Sequence, residues 1–140
     1  MNDYVPWAEL RALSRNHLKP WEPLWPRDEL TRSSFRRRIR HYQREAREDL
    51  GYSYFIFGPE QMLVGGISLS NVRRGVAQSA TLGYWIGAPY QRQGYMSEAL
   101  GAVLRFAFGQ LGLHRVEAAC LPDNQASRSL LLKSGFREEG

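Results

Sequence analysis

Residues 84–100 read Tyr84-Trp85-Ile86-Gly87-Ala88-Pro89-Tyr90-Gln91-Arg92-Gln93-Gly94-Tyr95-Met96-Ser97-Glu98-Ala99-Leu100. An apolar run halts before Pro89 and a polar loop carrying Gly94 follows. Beyond it, Met96, Ala99, Leu100, Val103, Leu104, Ala107 and Leu111 recur at helical spacing, with Gly112 marking the end. The stretch therefore reads strand, loop, helix. A helix N-terminus offers unpaired backbone N–H groups and the positive end of a dipole. With a strand before it and a glycine that admits close approach, that arrangement suits a phosphate. Gln91, Arg92 and Gln93 add side-chain donors, and Ser97 adds a hydroxyl in the first turn. On these residues alone two readings stand side by side: an ordinary strand-to-helix turn, or the seat of an anion.

Working upstream, Val5, Ala8, Ala12 and Leu13 space a short helix over Val5 to His17. Lys19 to Pro26 holds three prolines, which exclude a regular helix, and its Trp21 and Trp25 need a surface to cover, either core or a substrate cleft. Helical spacing resumes from Arg27 to Leu50 through Leu30, Phe35, Ile39, Tyr42, Ala46 and Leu50, with Gly51 expected to close the helix. Tyr52 to Phe57, aromatic and β-branched, reads as a strand. A Gly58-Pro59-Glu60-Gln61 turn joins it to a second strand, Met62 to Val72, expected to be antiparallel. Ser79 to Gly87 is the third strand. Downstream, His114 to Leu121 reads as a strand and Asn124 to Ser134 as a helix stopped by Gly135, with Phe136 opening a further strand. The order α-α-β-β-β-α-β-α is mixed α/β.

A chain of 140 residues is of single-domain size and long enough to bury a core without staples. The lone Cys120 makes no internal disulfide, and no Cys/His cluster has metal-ligand spacing, so no metal is expected. No apolar run reaches the roughly 18 residues of a membrane span, and no signal-peptide pattern opens the chain. A soluble, cytoplasmic protein without membrane contact is the expectation. The net charge is +5, and all but two of the 19 basic residues are arginine, which favours encounters with anionic partners without choosing among them.

A second constellation spans Asp123 to Phe136. Asn124 stands where a helix N-cap stands, Leu130 to Leu132 read as core, and Lys133-Ser134-Gly135 as a cationic last turn with a stop. Taken together, the two segments resemble the GNAT superfamily of acetyl-CoA-dependent N-acetyltransferases. Gln91-x-x-Gly94-x-Met96 is similar to its pyrophosphate signature, and Asn124, Ser127, Gly135 and Phe136 to its final-helix segment. The nearest likeness is to the RimJ/RimL-like branch, carried also by PWEP, GGISLSN, GYWIG, GYMSEAL, GLHRVEA and NQASRSLLLKSGF.

The resemblance implies an acyl-CoA N-acyltransferase fold: a mixed, mostly antiparallel central sheet flanked by helices. It implies acetyl-CoA as co-substrate and direct transfer, within a ternary complex, to an amine. In this branch the acceptor is the N-terminal α-amine of a ribosomal protein. The strand ending in Trp85, Ile86 and Gly87 would pair with the pantetheine arm. Backbone N–H groups in the run Arg92, Gln93, Gly94, Tyr95, Met96 and Ser97, with Gln91, would hold the pyrophosphate, and Asn124 would contact the arm. Met96 replaces a small residue, so its side chain is expected to point away from the phosphates. Seven residues after Asn124, where many members carry an acidic tyrosine, this chain has Leu131. The branch instead implies Ser127, which also reads as an ordinary helix serine. The family begins with a strand before the first helix and ends with two strands after Gly-Phe. The single domain over residues 1–140 is accordingly expected to lack the first and the C-terminal strands.

For the proton of the amine, Glu117 is the in-chain candidate base, while His114 and Tyr84 each have a simple structural reading. Cys120 reads as a core residue rather than an acetyl carrier. Two alternatives remain: acetylation of small amines, including antibiotics, on the same scaffold, or a ribosome- or RNA-binding module. The second rests on eight arginines between Arg27 and Arg47, offset in part by Asp28, Glu29, Glu45, Glu48 and Asp49.

Overall fold

The computed structural model describes residues 3–18, 22, 25–91, 93–118 and 125–137. Its elements are α1 (Tyr4–Leu13), α2 (Arg15–Leu18), α3 (Arg32–Arg47), β1 (Tyr52–Phe57), β2 (Leu63–Arg73), β3 (Ser79–Ile86), α4 (Tyr95–Phe108), β4 (Arg115–Ala118) and α5 (Gln125–Lys133). The four strands form one sheet in the order β1-β2-β3-β4. β2 pairs antiparallel with β1 and with β3, while β4 joins β3 in parallel. The sheet is thus mixed and mostly antiparallel, as expected. Among the described residues, neither β1 nor β4 has a strand on its outer side.

Side chains alternate across a strand, so each strand feeds two layers. On one face α4 lays Met96, Leu100, Val103 and Ala107 against Ile56, Ile67, Leu69, Ala80 and Leu82, and Leu131 of α5 joins them. On the other face α1 and α3 bury Trp7, Leu10 and Phe35 with Leu63, and Phe55 and Trp85 pack alongside. The Phe35 ring lies 5.0 Å from Trp7 and is stacked 6.1 Å from Phe55. Burying a side chain of that size contributes about 1.5–3 kcal/mol relative to exposure.

The first helix departs from the expected one. It breaks at Ser14, and its buried face is Trp7, Leu10, Arg11 and Ser14, whereas Val5 and Leu13 are exposed. Those four positions keep the i, i+3, i+4, i+7 rhythm, but two of them are polar, so an apolar count misses the stripe. α3 begins at Arg32 rather than Arg27, because the Thr31 hydroxyl caps it by accepting from the Ser34 N–H at 3.2 Å. It ends before Gly51: Asp49 takes the left-handed turn at φ 58°, leaving Ala46 and Leu50 exposed. α5 ends as expected. Gly135 has φ 95°, and the N–H groups of Phe136 and Gly135 donate to the Leu131 and Leu132 carbonyls. Phe136 packs on the core but lies in no strand. Arg92, Cys120 and Asn124 lie outside the described residues.

Candidate functional site

The described pairing of β3 with β4 stops at Leu82↔Ala118, yet β3 runs on to Ile86 along β2. At its carboxyl end the chain turns through Gly87 and a short 3-10 segment, Ala88–Tyr90, and enters α4 at Gly94. In open sheets with parallel strands this is the end where ligands settle. Gly94 has φ 84° and ψ −4°, and among the described residues no side chain caps the helix. The N–H groups of the first turn therefore rely on partners from outside the helix.

The polar loop is braced from within. Gln91 Nε2 donates to the Ala88 carbonyl at 3.3 Å, and Gln93 Nε2 to the Pro89 carbonyl at 2.9 Å. Each amide thus donates one hydrogen bond back to its own loop. Met96 turns its side chain into the core, where it is 7% exposed, so its length does not crowd the helix start. Ser97 is exposed, while Tyr95 is half-buried with its ring edge-on to Tyr90.

The first helix clamps this loop from the opposite layer. Ser14 is fully buried and its Oγ accepts the Ala88 N–H at 2.8 Å. A Cβ at Gly87 would meet Leu10 Cδ1 at 2.4 Å, so only glycine permits that contact. Ser14 and Leu10 were missed in the sequence, where nothing local ties residue 14 to residue 88.

Ile86 joins the α4 layer, while Trp85 faces α1 and α3. The Arg11 guanidinium lies between two indoles, 4.9 Å from the Trp85 ring centre and 4.6 Å from that of Trp25. Arg11 is 5% exposed and grips Glu22 with two donors, at 2.9 and 3.0 Å. Glu22 also accepts from Trp25 Nε1 at 2.9 Å. Glu29 bridges Arg11 at 3.3 Å and Arg38 at 2.7 Å. This buried network seats Glu22 and Trp25 over the end of β3. The surface expected for Trp25 is therefore the Arg11 side chain.

On the α4 face the Tyr84 hydroxyl and Ser127 Oγ share a hydrogen bond, linking β3 to α5. Glu117 is elsewhere. It stands opposite Thr81 in the register, on the face that carries Trp85, and is exposed in an ion pair with Arg115 at 2.7 Å. The two candidate catalytic residues thus sit on opposite faces of the sheet. His114 is exposed, and its N–H donates to the Gln78 carbonyl. A separate cleft of about 520 Å³ lies beside β1, at the other edge of the sheet, lined by Tyr54, Phe57, Tyr95, Glu98, Ala102 and Phe106 among others. Among the described residues no group of three or more His, Cys, Asp or Glu could hold a metal ion. No helix there is long and apolar enough to cross a membrane.

Comparison with known proteins agrees with this arrangement. The sequence profile of the acetyltransferase (GNAT) domain matches residues 2–137. The probable N-acetyltransferase YjcK of Bacillus subtilis is 34% identical over 132 residues, 94% of this chain and 73% of its own. The [ribosomal protein uS5]-alanine N-acetyltransferase of Escherichia coli is 34% identical over 134 residues, 95% of this chain and 69% of its own. The structure of Mycobacterium smegmatis RimJ in complex with CoA-disulfide superposes with a TM-score of 0.92 at 34% identity, over 100% of this chain and 68% of that one. The chain belongs to the GNAT acetyltransferase family, in its RimJ/RimL-like branch.

Proposed function

We propose that this chain transfers acetyl from acetyl-CoA to the N-terminal α-amine of a protein, with a ribosomal protein as the acceptor, in a ternary complex. The geometry that carries the reading is the uncapped, glycine-initiated start of α4 at the carboxyl end of β3. The residues there fit a pyrophosphate. Gly94 leaves its outer side open, Met96 is withdrawn into the core, and Gln91 and Gln93 hold the loop in shape. The Tyr95, Met96 and Ser97 N–H groups, with Arg92, would hold the phosphates, and the end of β3 through Trp85, Ile86 and Gly87 would pair with the pantetheine arm beside Asn124. When bound, acetyl-CoA supplies an acetyl group activated as a thioester.

An α-amine has a pKa of about 7.7–8, so a sizeable fraction is already neutral near pH 7. Placing that amine against the thioester supplies much of the acceleration through proximity. The new N–C bond forms as the C–S bond breaks. The sulfur leaves as a thiolate and needs a proton, and the amine must lose one. The Ser127 hydroxyl would donate the first, drawing in turn on the Tyr84 hydroxyl bonded to it. Glu117, the in-chain candidate for the second, would act through water from the opposite face of the sheet. The α-amine acceptor is supported by the names of relatives, which include a ribosomal-protein-alanine and a ribosomal-protein-serine acetyltransferase of Escherichia coli.

The test is thiol release from acetyl-CoA with peptides bearing a free N-terminal Ala or Ser, against the same peptides blocked at the N-terminus and against small polyamines. Release with the free peptides alone is expected. Equal release with blocked peptides, or with polyamines alone, would overturn the acceptor assignment.

A further inference from the structure

Helix α3 gathers its arginines on one flank. At 3.6 residues per turn, Arg32, Arg36, Arg40, Arg44 and Arg47 fall within about a third of the circumference, clear of the side that buries Phe35. All five are exposed. Glu45 is the helix's single acid; it points away from this flank and pairs with His41 at 3.1 Å. The neighbouring arginines off the flank are neutralised, Arg37 by Asp28 and Arg38 by Glu29. Arg32 lies over the Tyr4 ring at 4.4 Å. Arg36, Arg40, Arg44 and Arg47 make no ion pair among the described residues. Like charges four residues apart on a helix repel and oppose its formation, so this flank is suited to an anionic partner.

The flank also says which kind. Its remaining positions are Ser33 and Gln43, with no apolar side chain to enter a bilayer and no aromatic anchor for a protein interface. Its cations are arginines, whose planar fork matches phosphate oxygens. Successive rungs Arg32, Arg36, Arg40 and Arg44 climb about 6 Å each, so they follow an extended polyanion rather than clasp one isolated phosphate. We propose that this flank of α3 docks the protein on the phosphate backbone of RNA, without reading bases. None of its residues belongs to the start of α4 or to the Tyr84–Ser127 pair, so the proposal stands apart from the acetyl-transfer reading.

The test measures binding of the full chain to a fluorescently labelled RNA hairpin by anisotropy at about 50 and 200 mM salt. Four neutralised phosphates at roughly 0.7–0.9 released counterions each predict a fifty- to 150-fold loss of affinity over that range. Replacing Arg36, Arg40, Arg44 and Arg47 together by Gln should abolish the loss along with the binding, while the thermal melt and CoA binding persist. The pair Arg105→Gln and Lys133→Gln, exposed cations of α4 and α5 on the opposite side of the sheet from α3, should bind RNA as the parent does. RNA binding unchanged by the α3 substitutions would overturn the proposal, as would an equal loss from the control pair. Tighter binding to anionic vesicles or to polyglutamate than to RNA would also overturn it.

Discussion

Gly94 offers a clean test of the proposed pyrophosphate seat. Its φ of 84° and ψ of −4° lie in the left-handed region, which an L side chain enters at a cost of about 1–2 kcal/mol. A Cβ built on Gly94 meets no heavy atom of the described residues within 4 Å, so among them Gly94→Ala adds no clash and the cost is conformational. At about 0.59 kcal/mol for RT, the equilibrium constant for forming the turn that starts α4 falls roughly 5- to 30-fold. A ligand that needs the turn binds weaker by up to that factor, in proportion to the fraction of turn lost. Asn enters the left-handed region more readily than Ala, so Gly94→Asn should recover most of the loss despite its larger side chain. Calorimetry with CoA on the parent, Gly94→Ala and Gly94→Asn proteins reads this directly. The expected order of affinity is Gly, then Asn, then Ala. Unchanged affinity in Gly94→Ala, with only its melting temperature lowered, would refute the coupling of the turn to the ligand. Equal losses for Ala and Asn would point to steric intrusion rather than backbone strain.

Other consequences are measurable. Ser127→Ala should lower kcat by about 100-fold or more if the hydroxyl is the acid. Tyr84→Phe, losing one hydrogen bond, should lower it about tenfold, and KM for acetyl-CoA should hold in both. Arg11→Ala strips the half-buried Glu22 of two bonds and Glu29 of its buried one, and should cost about 3 kcal/mol or more, seen as a fall in melting temperature of about 10 °C or more; a shift within 2–3 °C, about 1 kcal/mol, would show the network to be dispensable. Hydrogen bonds from Arg74 and then Tyr52 hold the Asp49 carboxyl below its ordinary range. The ionised form therefore stabilises the fold above about pH 3.9, and that contribution is lost as pH falls through the lowered folded value. Asp49→Asn should reduce the melting temperature slightly near neutrality, the pair being largely exposed, and the gap should close in acid. In the same cluster the Tyr52 phenol is pushed up to about 12 by its bond to Asp49. An ultraviolet titration should find a late tyrosine that returns toward about 10 in Asp49→Asn, while Tyr54, raised by burial, stays late.

Much of this architecture was legible in the sequence because it rests on local rules. Alternating aromatic and β-branched residues wrote the strands, helical spacing from Met96 wrote α4, and Gly135 wrote the end of α5. The start of α4 was legible for the same reason: glycine before a helix needs no partner from elsewhere in the chain. What stayed hidden was held by distant contacts or by polar residues in apolar places. Arg11 and Ser14 occupy the buried stripe of α1, but a periodicity count admits neither. The Ser14 bond to Ala88 spans 74 positions and the Tyr84 bond to Ser127 spans 43, so no local pattern announces them. Glu117 illustrates the converse. Its residue type makes it the candidate base, while strand register, which depends on the partner, decides the face it occupies, here the one away from Ser127.

The central claim is acetyl transfer to an α-amine by residues of this chain. Mass spectrometry of a peptide holding both a free N-terminal Ala and an internal Lys, after incubation with acetyl-CoA and the protein, tests it most directly. The account predicts one acetyl group, on the N-terminal nitrogen, and a loss of rate in Ser127→Ala. Acetyl on the lysine alone, or no transfer by a protein that binds CoA, would contradict it.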